Sequence, residues 1–180
     1  MKISSKKICI FIYSMVGGGA EKVALLLSNK FIQKGLDISI VLLQKEGVFL
    51  EQIDKKIKIY SLNSMINRIG GIFGKIFIFS SFLMKHKPDI VLSIGEWPNT
   101  IVPMSVKLIP HKPKVVLKEA NTKSFLNSDE YNVSRLVRFL AKKSYFYAEN
   151  IICVSNAVKE ELLKENLIEP HKTPDSCLEM

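Results

Sequence analysis

The chain has 180 residues, which is enough for one domain with a substantial hydrophobic core. Its apolar fraction of 47% and charged fraction of 24% are those of a soluble globular protein. The net charge of +9 suits nucleic acid, an anionic membrane surface or phosphorylated ligands, and does not choose among them. Lysines spread over solvated faces would explain the charge equally well.

Simple patterns argue against four features: a disulfide framework, a metal site, a membrane-spanning helix and a signal peptide. The 3 cysteines are widely spaced and form no C-x-x-C pair, which argues against a disulfide framework and fits a reducing cytosol. The 3 histidines have no metal-ligand spacing with them, so no metal site is predicted. Residues 66–84 contain two basic residues, and their uninterrupted apolar part is too short to span about 30 Å of hydrocarbon. The basic N-terminus leads into a predicted strand and lacks a signal-peptide cleavage site.

The first half of the chain alternates short apolar runs with segments of helical spacing. A strand is predicted over 8–14, a helix over 20–34, a strand over 38–44 and a short strand over 57–62. Gly35 marks the end of the first helix, as expected just past a C-terminus. A second helix is predicted over 69–85 and ends before Pro88.

The second half repeats the alternation. A strand over 89–94 precedes a helix that follows Trp97-Pro98-Asn99, and a strand over 115–118 precedes a loop from Glu119 to about residue 132. A helix over 133–148, a strand over 151–154 and a helix over 156–166 complete the chain, the last capped by Ser155 or Asn156. Apolar strands that alternate with helices predict a Rossmann-like, doubly wound α/β domain with a parallel sheet.

Three consecutive glycines lie between the first strand and the first helix. Gly17, Gly18 and Gly19 therefore stand at the sheet edge where such folds bind ligands, and the helix N-terminus favours an anion there. The loop matches neither of two known phosphate-binding motifs. The dinucleotide fingerprint needs glycine where Lys22 stands, and Walker A needs Gly-Lys-Ser/Thr where Gly19 is followed by Ala20 and Glu21. A tight turn that only closes the helix on the strand remains the alternative.

Four segments, in this order, carry a resemblance to a known family. They read KICIFIYSMVGGGAEKVALLLSNKFIQKGLDISIVLLQ, KPDIVLSIGEWPNT, KVVLKEANTKS and FYAENIICVSNAVKEELLKENLI. Over about residues 6–170 the chain resembles the N-terminal domain of family 4-type glycosyltransferases, which have the GT-B fold. The resemblance implies sugar transfer with retention from a nucleoside-diphosphate sugar, without a required metal or other cofactor. It also implies that this domain mainly holds the acceptor, a sugar or lipid-linked glycan, and that its glycine loop faces the donor diphosphate.

The resemblance assigns candidate site residues. The catalytic candidates are Glu119 and Asn121, which flank Ala120 where many relatives carry histidine or arginine. The candidates for binding donor phosphate or acceptor are Gly17, Gly18, Gly19, Glu21, Glu96, Trp97, Asn99 and Ser155. Loop, packing and capping roles are the alternatives for Glu119, Asn121, Trp97 and Ser155.

The family continues into a C-terminal donor-binding domain, which we expect to be absent from this sequence. Residues 1–170 are interpreted as the acceptor-side domain and residues 171–180 as a short tail that matches nothing expected. We therefore expect no activity from this chain alone, and a separately encoded C-terminal half as a possible partner.

Relatives often build surface polysaccharides or glycolipids, so the expected location is cytoplasmic, with peripheral contact to the inner face of the cell membrane. Residues 66–87 suit an interfacial helix with Arg68, Lys75, Lys85 and Lys87, or a helix packed on the sheet. The competing function is a non-catalytic module that binds a nucleotide, sugar phosphate or lipid-linked glycan. A nucleic-acid binder ranks behind both because the lysines are dispersed.

Overall fold

The computed structural model describes residues 6–62, 71–119, 135–164 and 166–168. Its strands are β1 (Lys7–Ile12), β2 (Asp37–Leu42), β3 (Lys58–Ser61), β4 (Ile90–Ile94), β5 (Lys114–Glu119) and β6 (Asn150–Cys153). Its helices are α1 (Gly19–Gln33), α2 (Gly71–His86), α3 (Glu96–Lys107), α4 (Arg135–Phe146) and α5 (Asn156–Lys164). A short 3₁₀ turn covers Leu50–Gln52.

All six strands run parallel in the order β3-β2-β1-β4-β5-β6. Ile8 of β1 pairs with Ile38 of β2 on one side and Ile90 of β4 on the other. The strand order therefore reverses at β1, which creates the crevice where open α/β sheets bind ligands. The predicted Rossmann-like fold is confirmed.

Side chains alternate between two apolar layers, one on each face of the sheet. Ile10 and Ile12 pack with α1 on one face, while Cys9 and Phe11 pack with α2, α3 and α4 on the other. Phe11 stacks on Phe79 of α2 with ring centroids 4.2 Å apart. The four inner strands β2, β1, β4 and β5 are buried over most of their length, which explains the near-continuous apolar runs in the sequence.

Most predicted boundaries agree with the structure within one or two residues. Gly35 has φ +78 and donates to Ile32, while Leu36 donates to Phe31, the paired bonds of a Schellman C-cap. Ser155 caps α5, since its hydroxyl accepts from the Val158 amide at 3.3 Å.

Two predicted boundaries were wrong at the site. Glu119 is the last residue of β5 rather than the first of a loop, and α3 begins at Glu96, before Trp97-Pro98-Asn99. Proline is accepted in the first turn of α3 because the amide it lacks has no intrahelical acceptor there. The predicted loop after position 119 and the tail over 171–180 lie outside the described residues. In the part of the chain that the structure describes, no helix has the length and apolar character needed to cross a membrane.

Candidate functional site

The carboxyl ends of four strands bring the predicted site residues to one edge of the sheet. The glycine loop follows β1, Glu96 and Asn99 belong to the helix after β4, and Glu119 ends β5. Ser155 follows β6 at the same edge. Asn121 lies outside the described residues.

The three glycines of the loop have three different local roles. Gly17 has φ +123, a conformation that strains other residues. Gly18 is the N-cap of α1 in an extended conformation and makes no side-chain cap. A Cβ built on Gly19 meets no atom within 4 Å, so packing inside the protein does not require glycine there. Gly19 is therefore the position at which open space for a ligand is the best explanation.

The Glu21 carboxylate lies over the start of α1. A Cβ built on Gly18 would come within 2.5 Å of Glu21 Oε2, so the side chain folds back onto the helix N-terminus. A negative charge is favourable at this end of a helix. A phosphate bound at the same amides would have to compete with Glu21 or displace it.

Residues 46–49 form a second loop, which is hydrogen-bonded to Met15 just before the glycine loop. The Met15 amide donates to the Glu46 carbonyl at 2.8 Å, and the Phe49 amide donates to the Met15 carbonyl at 3.2 Å. Gly47 lies between these bonds with φ +121, and a Cβ on it would overlap the Met15 backbone. Sequence reasoning missed this glycine, whose only local signal is its isolation in the segment after β2.

A buried polar network joins β5 to the helices on either side of it. Glu119 Oε2 accepts from the Tyr145 hydroxyl at 2.8 Å and from Asn99 Nδ2 at 3.0 Å. Asn99 Nδ2 also donates to the Lys118 carbonyl at 3.1 Å. Exposure is 1% for Asn99, 4% for Glu119 and 7% for Tyr145. Tyr145 was not predicted from the sequence, where it is one aromatic residue of an amphipathic helix.

Burial and the neighbouring carboxylate set the protonation of Tyr145. Burial, followed by the negative charge of Glu119 and the hydrogen bond to it, raises the pKa of Tyr145 well above its usual value. The phenol therefore keeps its proton at neutral pH and acts as a donor to Glu119.

Two buried side-chain oxygen atoms of the described residues lack a hydrogen-bond partner, and one of them belongs to this network. Within the described residues, Asn99 Oδ1 and Ser93 Oγ are the fully buried side-chain polar atoms without a hydrogen bond. Buried polar groups of this kind are commonly satisfied by water or by a ligand hydroxyl. Asn99 thus fixes Glu119 through its amide nitrogen while its carbonyl oxygen retains accepting capacity.

Trp97 packs on the core rather than standing free at the edge. It is half-buried against the layer that contains α2 and α3. The Lys75 ammonium lies 5.0 Å from its ring centroid, and burial lowers the pKa of Lys75. Packing over a helix therefore accounts for the buried part of the indole. Ring stacking on a ligand is open only to the part that remains exposed.

Lys118 is a third residue that sequence reasoning missed, after Gly47 and Tyr145. It is 4% exposed, and it points to the face opposite Glu119 because neighbouring strand residues alternate. Burial lowers the pKa of Lys118, and the negative charge of Glu119 partly opposes that effect. A buried lysine therefore lies at the site edge next to Glu119, and its signal in the sequence was a charged residue inside an apolar strand.

The described residues hold no group of three histidine, cysteine, aspartate or glutamate side chains arranged to bind a metal. The site instead combines helix N-termini, a glycine loop, one buried carboxylate and buried amide and phenol donors. Such an arrangement can hold anionic and hydroxyl-bearing ligands at the carboxyl edge of the sheet.

Sequence comparison identifies the family of this chain. The family model described as Glycosyltransferase Family 4 matches residues 17–173, starting at the glycine loop. The chain belongs to glycosyltransferase family 4. No curated protein sequence matches the chain. The family match confirms the predicted resemblance and starts at Gly17, the first residue of the candidate loop.

Solved structures agree with this family 4 domain in fold. Lipopolysaccharide outer core galactosyltransferase WaaB is 17% identical with a TM-score of 0.66, over 94% of this chain and 44% of that one. Anabaena Alr3699/HepE, solved with UDP and glucose, is 14% identical with a TM-score of 0.70, over 94% and 43%. S. aureus MnaA, solved with UDP, is 19% identical with a TM-score of 0.66, over 93% and 44%.

The family 4 chain spans less than half the length of these structures. At such identities the likeness establishes the fold alone. UDP-N-acetylglucosamine 2-epimerases share it as well, with a TM-score of 0.65 for one of them.

Proposed function

We propose that this chain is the acceptor-side domain of a retaining glycosyltransferase that uses a nucleoside-diphosphate sugar. The observation that carries the proposal is the family 4 glycine loop, placed at the sheet edge beside the reversal of strand order, with open space at Gly19. HepE and MnaA, which share the fold, were solved with UDP. The proposed product is a surface polysaccharide or glycolipid, made without a metal or other cofactor.

The proposed reaction needs a second domain. The chain covers 42–47% of the structures it resembles, so the donor-binding half would be supplied by further sequence or by a separate chain. We propose that the domain does not turn over alone. A non-catalytic module that binds a nucleotide, sugar phosphate or lipid-linked glycan is the competing function, and it predicts binding without turnover even when the second half is added.

We assign the predicted site residues the following roles. Gly17, Gly18 and Gly19 face the donor diphosphate, with Glu21 as the internal anion that it displaces. Glu96, Trp97 and Ser155 border the acceptor. Glu119 is buried and held by Tyr145 and Asn99, so we give it a positioning role at the end of β5. Asn121, two residues further along, remains the candidate to touch the substrate.

Gly19→Ala separates a ligand role from a structural one. Because a Cβ at this position meets no protein atom, we expect the variant to unfold at the same urea concentration as the parent. If a diphosphate approaches Gly19 closely, affinity for UDP should fall at least roughly 10-fold, about 1.4 kcal/mol. Titration with UDP of the chain combined with its C-terminal half, followed by the amide NMR shifts of the chain, measures this.

The matched control is Gly35→Ala at the other end of α1. Its φ of +78 strains alanine, so stability should fall while UDP affinity is unchanged. Equal UDP affinity in Gly19→Ala and the parent would contradict the ligand role. Release of nucleoside diphosphate from a panel of donors, with a lipid extract and the C-terminal half present, then distinguishes transfer from binding alone.

We further propose that α2 contacts the anionic inner face of the cell membrane, which makes the protein cytoplasmic and peripheral. One stripe of α2 exposes Phe73 at 58%, Phe77 at 62% and Met84 at 46%. The helix contains no acidic residue, and its lysines are Lys75 and Lys85. Its opposite side packs in the core, so the two predicted interpretations of this segment apply to different sides of one helix.

Replacing Phe73 and Phe77 together by serine should reduce binding to vesicles that contain anionic lipid by at least about 10-fold, since each phenyl group contributes burial in the interface. Co-sedimentation with such vesicles measures the effect. Leu26→Ser is the matched control, because Leu26 is 59% exposed on α1, across the sheet. Equal loss in both variants, or no binding by the parent, would contradict membrane contact through α2.

A further inference from the structure

A small pocket lies at the amino ends of β1, β2 and β3, at the opposite edge of the sheet from the glycine loop. Its volume is about 110 Å³. Its lining residues are Lys7, Ile8, Cys9, Asp37, Ser39, Lys58, Tyr60, Phe82, His86 and Pro88. None of these residues belongs to the candidate glycosyltransferase site, so the pocket requires a separate explanation.

The strand register determines which side chains meet in the pocket. Lys7 pairs with Asp37 and Ser39 pairs with Lys58, so alternate residues of the three strands point to the α2 face. The last turn of α2 closes the pocket with Phe82 and His86. His86 stacks on Phe82 with ring centroids 4.2 Å apart and lies 4.7 Å from the Tyr60 ring. Its imidazole is thus fixed in place by two aromatic contacts.

The electrostatic environment of His86 is positive. Burial lowers the pKa of His86 below its usual 6.5, and the charges of Lys85, Lys58 and Lys7 lower it further. Asp37 also lines the pocket, and Asp89 follows α2, where its carboxylate accepts from the Lys7 amide at 2.8 Å. The charges that lower the pKa of His86 are those of three lysines.

We propose that this pocket binds a small oxyanion of the phosphate or sulfate type between Lys7, Lys58 and His86. Two ammonium groups supply charge, and the imidazole supplies a directional donor when protonated. The volume admits a free oxyanion, and the buried side chains of Cys9 and Phe82 line the pocket on its inner side. The site is independent of the proposed glycosyl transfer.

The proposal predicts that a bound anion offsets the lowering of the His86 pKa by the lysines. An opposite charge within hydrogen-bond reach should raise the pKa of His86 by roughly 1 pH unit. Imidazole NMR of the whole chain from pH 5 to 8, with sodium sulfate against sodium chloride at equal ionic strength, measures this. Sulfate keeps its charge over this range, and inorganic phosphate is the second probe. His86→Asn identifies the resonance.

Lys58→Ala tests the pocket itself. Removing this cation should raise the pKa of His86 in chloride and abolish the additional, saturable rise in sulfate. Lys30→Ala, an exposed lysine on α1, carries the same charge change and should behave like the parent. Equal titration curves in sulfate and chloride, or an undiminished sulfate effect in Lys58→Ala, would overturn the proposal.

Discussion

Replacing Glu119 by leucine is expected to lower the free energy of unfolding by about 2–4 kcal/mol. The substitution removes the acceptor of two buried donors, the Tyr145 hydroxyl at 2.8 Å and Asn99 Nδ2 at 3.0 Å. The Tyr145 hydroxyl, in a residue 7% exposed, would have to find another acceptor or remain unsatisfied. Urea unfolding of the purified variant at neutral pH measures the loss.

Two milder variants locate the source of the effect. Tyr145→Phe removes one donor and leaves the carboxylate bonded to Asn99, so it should cost only about 1 kcal/mol. Glu119→Gln keeps an acceptor oxygen and the side-chain shape, so its stability should lie between those of the parent and the leucine variant. If the leucine variant unfolds at the same urea concentration as the parent, the network does not hold β5 to α3 and α4.

These variants also test the proposed positioning role of Glu119 when the chain is combined with the proposed donor-binding half. If Glu119 acts by fixing the end of β5, Tyr145→Phe should lower donor turnover in the same direction as Glu119→Gln, although Tyr145 is behind the site. If Glu119 itself touches the reacting sugar, Glu119→Gln should lose far more turnover than Tyr145→Phe. The ratio of the two losses therefore distinguishes positioning from direct contact.

The sequence predicted the strands well because the inner ones are apolar runs covered on both faces. Ile8 to Ile12 and Val91 to Ile94 are such runs, and their pairing follows from the parallel α/β pattern. The glycine loop was also predicted from a local pattern, since it stands between the apolar run of β1 and the start of α1. Local patterns thus indicated the edge of the sheet where the site lies.

The network around Glu119 could not be predicted from local patterns. Asn99 and Tyr145 are 20 and 26 residues away from Glu119 and belong to two different helices. A charged residue at the end of an apolar strand suggests a loop, and so Glu119 was predicted to begin one. Only the packing of α3 and α4 against β5 shows that the carboxylate points inward to two donors.

The run of three glycines is less uniform than it looks in the sequence. Gly17 has a positive φ that strains other residues. Gly18 leaves room for the Glu21 carboxylate, and Gly19 has open space around it. Because only the last lacks an internal reason, the loop is part scaffold and part candidate binding surface. Gly47, by contrast, is a scaffold residue for the same loop, although it lies 28 residues after Gly19 in the sequence.

Gly47→Ala should therefore impair both stability and UDP binding. Its φ of +121 strains alanine by about 1–3 kcal/mol, and the new Cβ would also displace the Met15 backbone. That displacement breaks the bonds from Met15 to Glu46 and from Phe49 to Met15, which fix the start of the glycine loop. We expect a total loss of about 3 kcal/mol in urea unfolding and weaker binding in a UDP titration.

Gly35→Ala separates the two contributions, because Gly35 has φ +78 with no atom within 4 Å of the added Cβ. It should lose only the strain, about 1–2 kcal/mol, and keep UDP affinity. A Gly47→Ala protein that is no less stable than Gly35→Ala would show that the loop moves freely away from Met15. A destabilised Gly47→Ala protein with unchanged UDP affinity would instead place the diphosphate away from the glycine loop, and the proposed donor site would then have to be sought elsewhere on the sheet edge.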